Sequence, residues 1–151
     1  MMPVINGYSD NRGERHSRAV AALAGCGMTS ADAVVVPDLE SLRLEQSQPV
    51  IYDAPVGLLL LHRDPTTGDE HYLVDYPAGM TAARHHHTAA HTIVVLDGAL
   101  EVDGQVLGAS SYCHFPPMTS MHHQPATGHH CRFITIFHGP FDVFPEPDAA
   151  G

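Results

Sequence analysis

The sequence predicts a mostly-β, single-domain protein built as an antiparallel barrel or sandwich. Three observations carry this. From Ala33 onward the chain runs in short β-branched or alternating apolar stretches punctuated by Gly, Pro and Asp. Asp103-Gly104, between Val102 and Gln105, is the two-residue composition that a type I′ hairpin needs for positive φ. No apolar run approaches the roughly 20 residues of a membrane helix, and no heptad or internal repeat competes with the strand pattern.

Taken in order, residues 1–32 are polar and then Ala-rich, and form an N-terminal arm in which Arg18–Ala24 can make a short helix before the Gly25-Cys26-Gly27 breaker. The strands expected next are Val34–Val36, Ser41–Gln46, Val56–His62, His71–Tyr76, Ala82–His87, His91–Leu96, Ala99–Val102, Gln105–Leu107, Ser111–Phe115, Met121–Gln124 and Arg132–His138. Asp64-Pro65-Thr66-Thr67-Gly68 reverses the chain between two of them. The barrel is expected to occupy 33–144, leaving 145–151 as a flexible tail.

Composition narrows the function. A length of 151 residues suits one domain, and 44% hydrophobic with 16% charged residues suits a compact globule. A formal charge of -10 without a basic block disfavours nucleic acid and anionic membrane as partners. The start of the chain lacks a secretory pattern, so a cytoplasmic location is expected. Three cysteines without a close pair argue against a disulfide framework or a zinc knuckle. All seven cationic residues are arginine, which closes lysine Schiff-base chemistry to this chain and leaves enolate chemistry to a metal.

The thirteen histidines supply that possibility. His85 and His87 are two apart, so on a strand both leave one face while His86 leaves the other. His91 follows a small-residue bend at Ala89-Ala90 and opens an apolar strand that can return alongside the first. After Phe115-Pro116-Pro117 comes His122-His123-Gln124, where His122 and Gln124 share a face and His123 takes the opposite one. Imidazoles on adjacent strands can share one divalent ion such as zinc, iron, nickel or copper. For His16 and His62 surface polarity is the plain reading, and for Gln124 the plain alternative to ligation is a backbone hydrogen bond near Pro125. His123, His129 and His130 are expected at solvent or the pocket mouth, with His123 able to move a proton. Met118, Met121 and Ile93–Val95 line a cavity or simply fill the core.

The spacing Gly79, His85, His87, His91, Gly98 resembles the first motif of the cupins, with histidine where that motif carries glutamate; Gly108, Pro117 and His122 fit the second motif loosely. The resemblance covers about residues 33–144 and implies an antiparallel jelly-roll barrel with a mononuclear site of His85, His87, His91 and His122, and Gln124 as a fifth ligand. Within the cupins the chain resembles the small metal-dependent polyketide cyclases of the resistomycin type in antibiotic biosynthesis. It is similar, less closely, to three-histidine iron dioxygenases that cleave β-diketones and to the metal-binding cupin domain of zinc anti-sigma factors. The favoured implication is aldol-type ring closure of a poly-β-ketone on Zn2+, with metal-bound water or His123 as base, by a homodimer. Fe2+ with carbon–carbon bond cleavage is the enzymatic alternative, Ni2+ an alternative ion, and a non-catalytic metal sensor the third reading. Replacing the carboxylate by imidazole leaves the cation its full charge, which favours Lewis-acid chemistry.

Overall fold

A computed structural model describes residues 33–147. The expected arm 1–32, with its helix at Arg18–Ala24, and the last four residues lie outside them. Among the described residues every regular element is a strand, in the order β1 Glu45–Ser47, β2 Val56–Arg63, β3 Glu70–Tyr76, β4 His85–His87, β5 His91–Val102, β6 Gln105–Gly108, β7 Tyr112–Phe115, β8 His123–Pro125, β9 Cys131–Phe137 and β10 Val143–Pro145. No helix among them is long and apolar enough to cross a membrane.

All pairings are antiparallel. The main sheet runs β1-β2-β3-β9-β5-β6, with β7 and β8 also on β5, and β4 pairs with β10 in a separate two-stranded sheet. Both sheets feed one core, in which Tyr72, Tyr76, Ile93, Leu100, Phe133 and Phe137 of the first meet Val143 of the second. The alternation B-i-B-i-B-i-B along β9 is the period-2 pattern of a strand with one face on that core. On the outer face of the sheet Leu59, Leu61 and Leu73 are covered by Leu39, Leu42 and Leu44.

The long strand β5 joins the two expected runs His91–Leu96 and Ala99–Val102 through a bulge between Val95 and Asp97. Its first half lies between β9 and β7, its second half between β6 and β8. Gly98 makes the switch possible: its φ is +74°, and a Cβ there would stand 1.9 Å from the His130 carbonyl oxygen. The Asp103-Gly104 turn follows, both residues at positive φ (46° and 85°), as a type I′ hairpin requires. In the β2–β3 reversal the Asp64 carboxylate accepts from the Thr66 and Thr67 amides at 2.7 and 3.1 Å.

Several expected elements differ. Val34–Val36 is not a strand and pairs with no strand among the described residues, and the strand expected over Ser41–Gln46 is Glu45–Ser47. Ala82 makes only an isolated bridge to Tyr52, so the strand expected over Ala82–His87 begins at His85. That strand does not pair with the one after the Ala89-Ala90 bend; it takes β10 instead. The folded chain therefore continues past residue 144, through Pro145 in β10 and Glu146, whose amide donates to the Arg84 carbonyl at 2.8 Å.

Candidate metal centre

Strand alternation on β4 sends His85 and His87 into the core and His86 outward, where its Nδ1 meets the Glu146 carboxylate at 2.9 Å and its ring stacks on Phe144. His91, first residue of β5, enters the same interior, with its ring centroid 4.5 Å from that of His87. The fourth imidazole is His123. His85, His87, His91 and His123 are no more than 4% exposed.

The segment before β8 thus presents the other face from the one expected. Met121 bridges His85 and is buried, so alternation turns His123 and Pro125 inward and leaves His122 and Gln124 half-buried on the outer side. The register is fixed upstream, where Met118 takes a positive φ of 62° and its amide donates to the His87 carbonyl at 2.8 Å. Of the five residues expected around one ion, the structure places His85, His87 and His91 in one interior and adds His123, while His122 and Gln124 are half-buried; among the five, His85 and His87 belong to the group whose ligand atoms converge, and His91 lies beside it. His129 and His130 are exposed as expected, and His130 pairs with Asp97 at 2.7 Å.

Among the described residues, His85, His87 and His123 form the group whose ligand atoms all lie within 4.8 Å of one another. The Nδ1 of His85 donates to the Ala83 carbonyl at 2.7 Å, which fixes the tautomer with a lone pair on Nε2, and that Nε2 is buried without a hydrogen-bond partner. His87 Nδ1 and both nitrogens of His91 are likewise buried and have no hydrogen-bond partner among the described residues. The Nδ1 of His123 is taken by the Tyr76 hydroxyl at 3.1 Å, and Tyr76 meets the Tyr52 hydroxyl at 2.6 Å, which leaves His123 Nε2 for the interior. Buried nitrogens without protein partners, with ligand atoms of His85, His87 and His123 close together, are what a nitrogen-ligated divalent ion would satisfy. The residues present fit a metal.

Electrostatics agrees. Burial, then the neighbouring imidazoles, pushes His87 and His123 well below the ordinary histidine range. Burial also lowers His85 to about 4, against a smaller opposing effect from the Ala83 carbonyl, and His91 to about 3. All four are neutral at physiological pH, the form that ligates. Burial raises the thiols of Cys113 and Cys131 to about 11 and about 12, so they stay protonated and out of this chemistry.

The walls are aromatic. His91 is stacked between Phe115 and Phe137 at centroid distances of 4.9 and 5.2 Å, and Phe141 stacks on Phe137 at 3.6 Å. The space enclosed by His87, His91 and His123 with Tyr52, Ile93 and Thr135 is about 10 Å³, room for an ion or one water-sized group. A larger cleft of about 570 Å³ lies beside Asp75 and Arg132. There Asp75 holds Arg132 Nε at 2.8 Å and Nη2 at 2.5 Å, so the guanidinium of the cleft is already paired.

With this geometry in place, the family described as "ChrR Cupin-like domain" matches residues 46–142, more than half of the chain. The chain belongs to the ChrR cupin-like family. This cupin is similar in structure to an RmlC-like cupin protein from Ralstonia eutropha, with 26% identity, a TM-score of 0.54 and coverage of 62% of this chain and 60% of that one. It thus spans less than two thirds of that protein. An acetylacetone dioxygenase from Acinetobacter johnsonii gives 21% identity and a TM-score of 0.62 over 81% of this chain and 83% of that one. The polyketide cyclase RemF from Streptomyces resistomycificus gives 14% and 0.57 over 77% and 89%. At these identities the last two share the fold. No curated protein matches the sequence.

Proposed function

We propose that this cupin is a metal-dependent enzyme that takes a β-dicarbonyl compound as its enolate, with zinc-dependent ring closure of a poly-β-ketone as the first reading. The observation that supports it is a donor set made only of neutral, buried imidazoles, in which His85, His87 and His123 bring ligand atoms within 4.8 Å of one another. A divalent ion held by His85, His87 and His123 keeps its full positive charge and supplies Lewis acidity that favours an enolate oxygen over its neutral ketone. His91 stands where the cupin motif carries glutamate, so no carboxylate offsets that charge from this position. Phe115, Phe137 and Phe141 exclude water around His91 and keep the local dielectric low. His123, held by Tyr76 inside the donor group, is better suited to ligation than to the role of base.

A second reading, carbon–carbon bond cleavage by a dioxygenase on ferrous iron, is favoured by one observation. The space beside the imidazoles is about 10 Å³, which suits the end of a short diketone better than a folded poly-β-ketone. Elemental analysis of the purified protein, followed by turnover of a simple diketone with and without dioxygen, separates the readings. Zinc with turnover in strict anaerobiosis supports cyclase-type enolate chemistry. Native iron with stoichiometric oxygen uptake replaces it by the dioxygenase. Bound metal with no turnover of any ketone moves the protein to the non-catalytic sensor class.

A further inference from the structure

One polar side chain in the centre is not explained by metal binding. Thr135 lies in the middle of β9, opposite Ile93 of β5 and Tyr72 of β3, with Phe133 and Phe137 two residues away on the same inward face. It is 3% exposed, and its hydroxyl has no hydrogen-bond partner among the described residues. It lines the same small space as His87, His91 and His123. A strand position in a core asks only for a β-branched residue of this size, which valine supplies without burying a hydroxyl. An unpartnered buried hydroxyl is costly, so its proton requires an acceptor in that space. Ile93, Phe133 and Phe137 offer none, and the Tyr52 and Tyr76 hydroxyls bond to each other and to His123. An atom lodged there touches Thr135 on one side and the imidazole group on the other.

We infer that the Thr135 hydroxyl donates to an oxygen atom of the ligand held beside the imidazoles, and so favours ligands of the β-dicarbonyl class over hydrocarbon ligands, which offer no acceptor. The inference rests on the proposed enolate function for the identity of the ligand. It rests on the hydroxyl alone for the presence of an oxygen partner. Thr135 is a positioning residue for that oxygen and does not ligate the metal.

The test uses the full-length, zinc-loaded protein, acetylacetone as the probe, and the variants Thr135→Val and Thr135→Ser. Calorimetric titration is expected to show binding about 10- to 100-fold weaker in T135V, the loss of a buried hydrogen bond to a charged oxygen, at unchanged zinc content. T135S, which keeps the hydroxyl, is expected to bind near the wild-type level. Equal affinity in T135V and wild type overturns the inference. Absence of acetylacetone binding in the wild type overturns the enolate reading instead, and Thr135 is then judged from the urea midpoint of the metal-free protein. A midpoint lower in T135V than in wild type supports an oxygen partner for the hydroxyl; one equal or higher overturns it.

Discussion

Removing the metal and lowering the pH should unfold this protein over a window set by its buried histidines. In an unfolded chain an imidazole titrates near about 6.5. In the folded protein burial holds His85 at about 4 and His91 at about 3. Because the folded values are the lower ones, the unfolded state takes up protons first as the pH drops. The stability these residues allow is complete above about 6.5 and is lost progressively as the pH falls toward the folded values. At pH 5 the loss comes to about 2 kcal/mol for each of the two, or about 4 kcal/mol together, and His87 and His123 act with the same sign. A domain of this size has about 5–15 kcal/mol in all, so the metal-free protein should be close to unfolding at pH 5. Urea denaturation of chelator-treated protein from pH 7.5 to 4.5, followed by circular dichroism because the chain has no tryptophan, measures it. A urea midpoint unchanged between pH 7.5 and 5 would show that these imidazoles are not buried as described. Zinc-loaded protein should resist to lower pH and then fail more steeply, releasing its ion below about pH 6 as proton uptake and metal loss become one event.

Seven substitutions probe the centre and the strand that frames it. His85→Ala, His87→Ala and His123→Ala should each strip the bound metal as read by elemental analysis, whereas His86→Ala and His122→Ala should keep it; equal loss from His122→Ala would mean that the inward face has been misassigned. Tyr76→Phe, which frees Nδ1 of His123, should weaken zinc binding in chelator competition by about 10- to 100-fold without unfolding the protein. Gly98→Ala forces a side chain into a left-handed backbone and against the His130 carbonyl 1.9 Å away, and should cost more than about 3 kcal/mol in urea unfolding.

Much of this was legible in the sequence because strands carry their own period. The face shared by His85 and His87 follows from residues two apart and the Asp103-Gly104 hairpin from its turn composition, and the structure shows both. What misled was counting across a loop. Measured from Pro117, the cupin spacing lands on His122, but an offset of one residue reverses every side chain of a strand. The local pattern held the better signal: Met121, His123 and Pro125 alternate with polar Gln124, and the buried set is the one that begins with methionine. β10 was hidden for another reason. Val143-Phe144-Pro145 is too short and too close to prolines to read as a strand by itself, and it becomes one because β4 needs a partner. Thr135 and Tyr76 carried no motif at all, since their roles come from where the fold points them.

The strand that carries His85 and His87 has none of its hydrogen-bonding neighbours close by in the chain. Its partner β10 and the Met121 bridge come from far downstream, with contacts such as His86 to Glu146 and Arg84 to Ser120 spanning 60 and 36 residues. During synthesis the two histidines therefore leave the ribosome well before the strand partners of β4. Closing such long loops is entropically slow, so the centre is among the last features to assemble. An ion that needs His123 together with β4 can be taken up only by a chain that is already nearly folded, which makes metal occupancy a report on the completed tertiary structure and not on any local fragment of it.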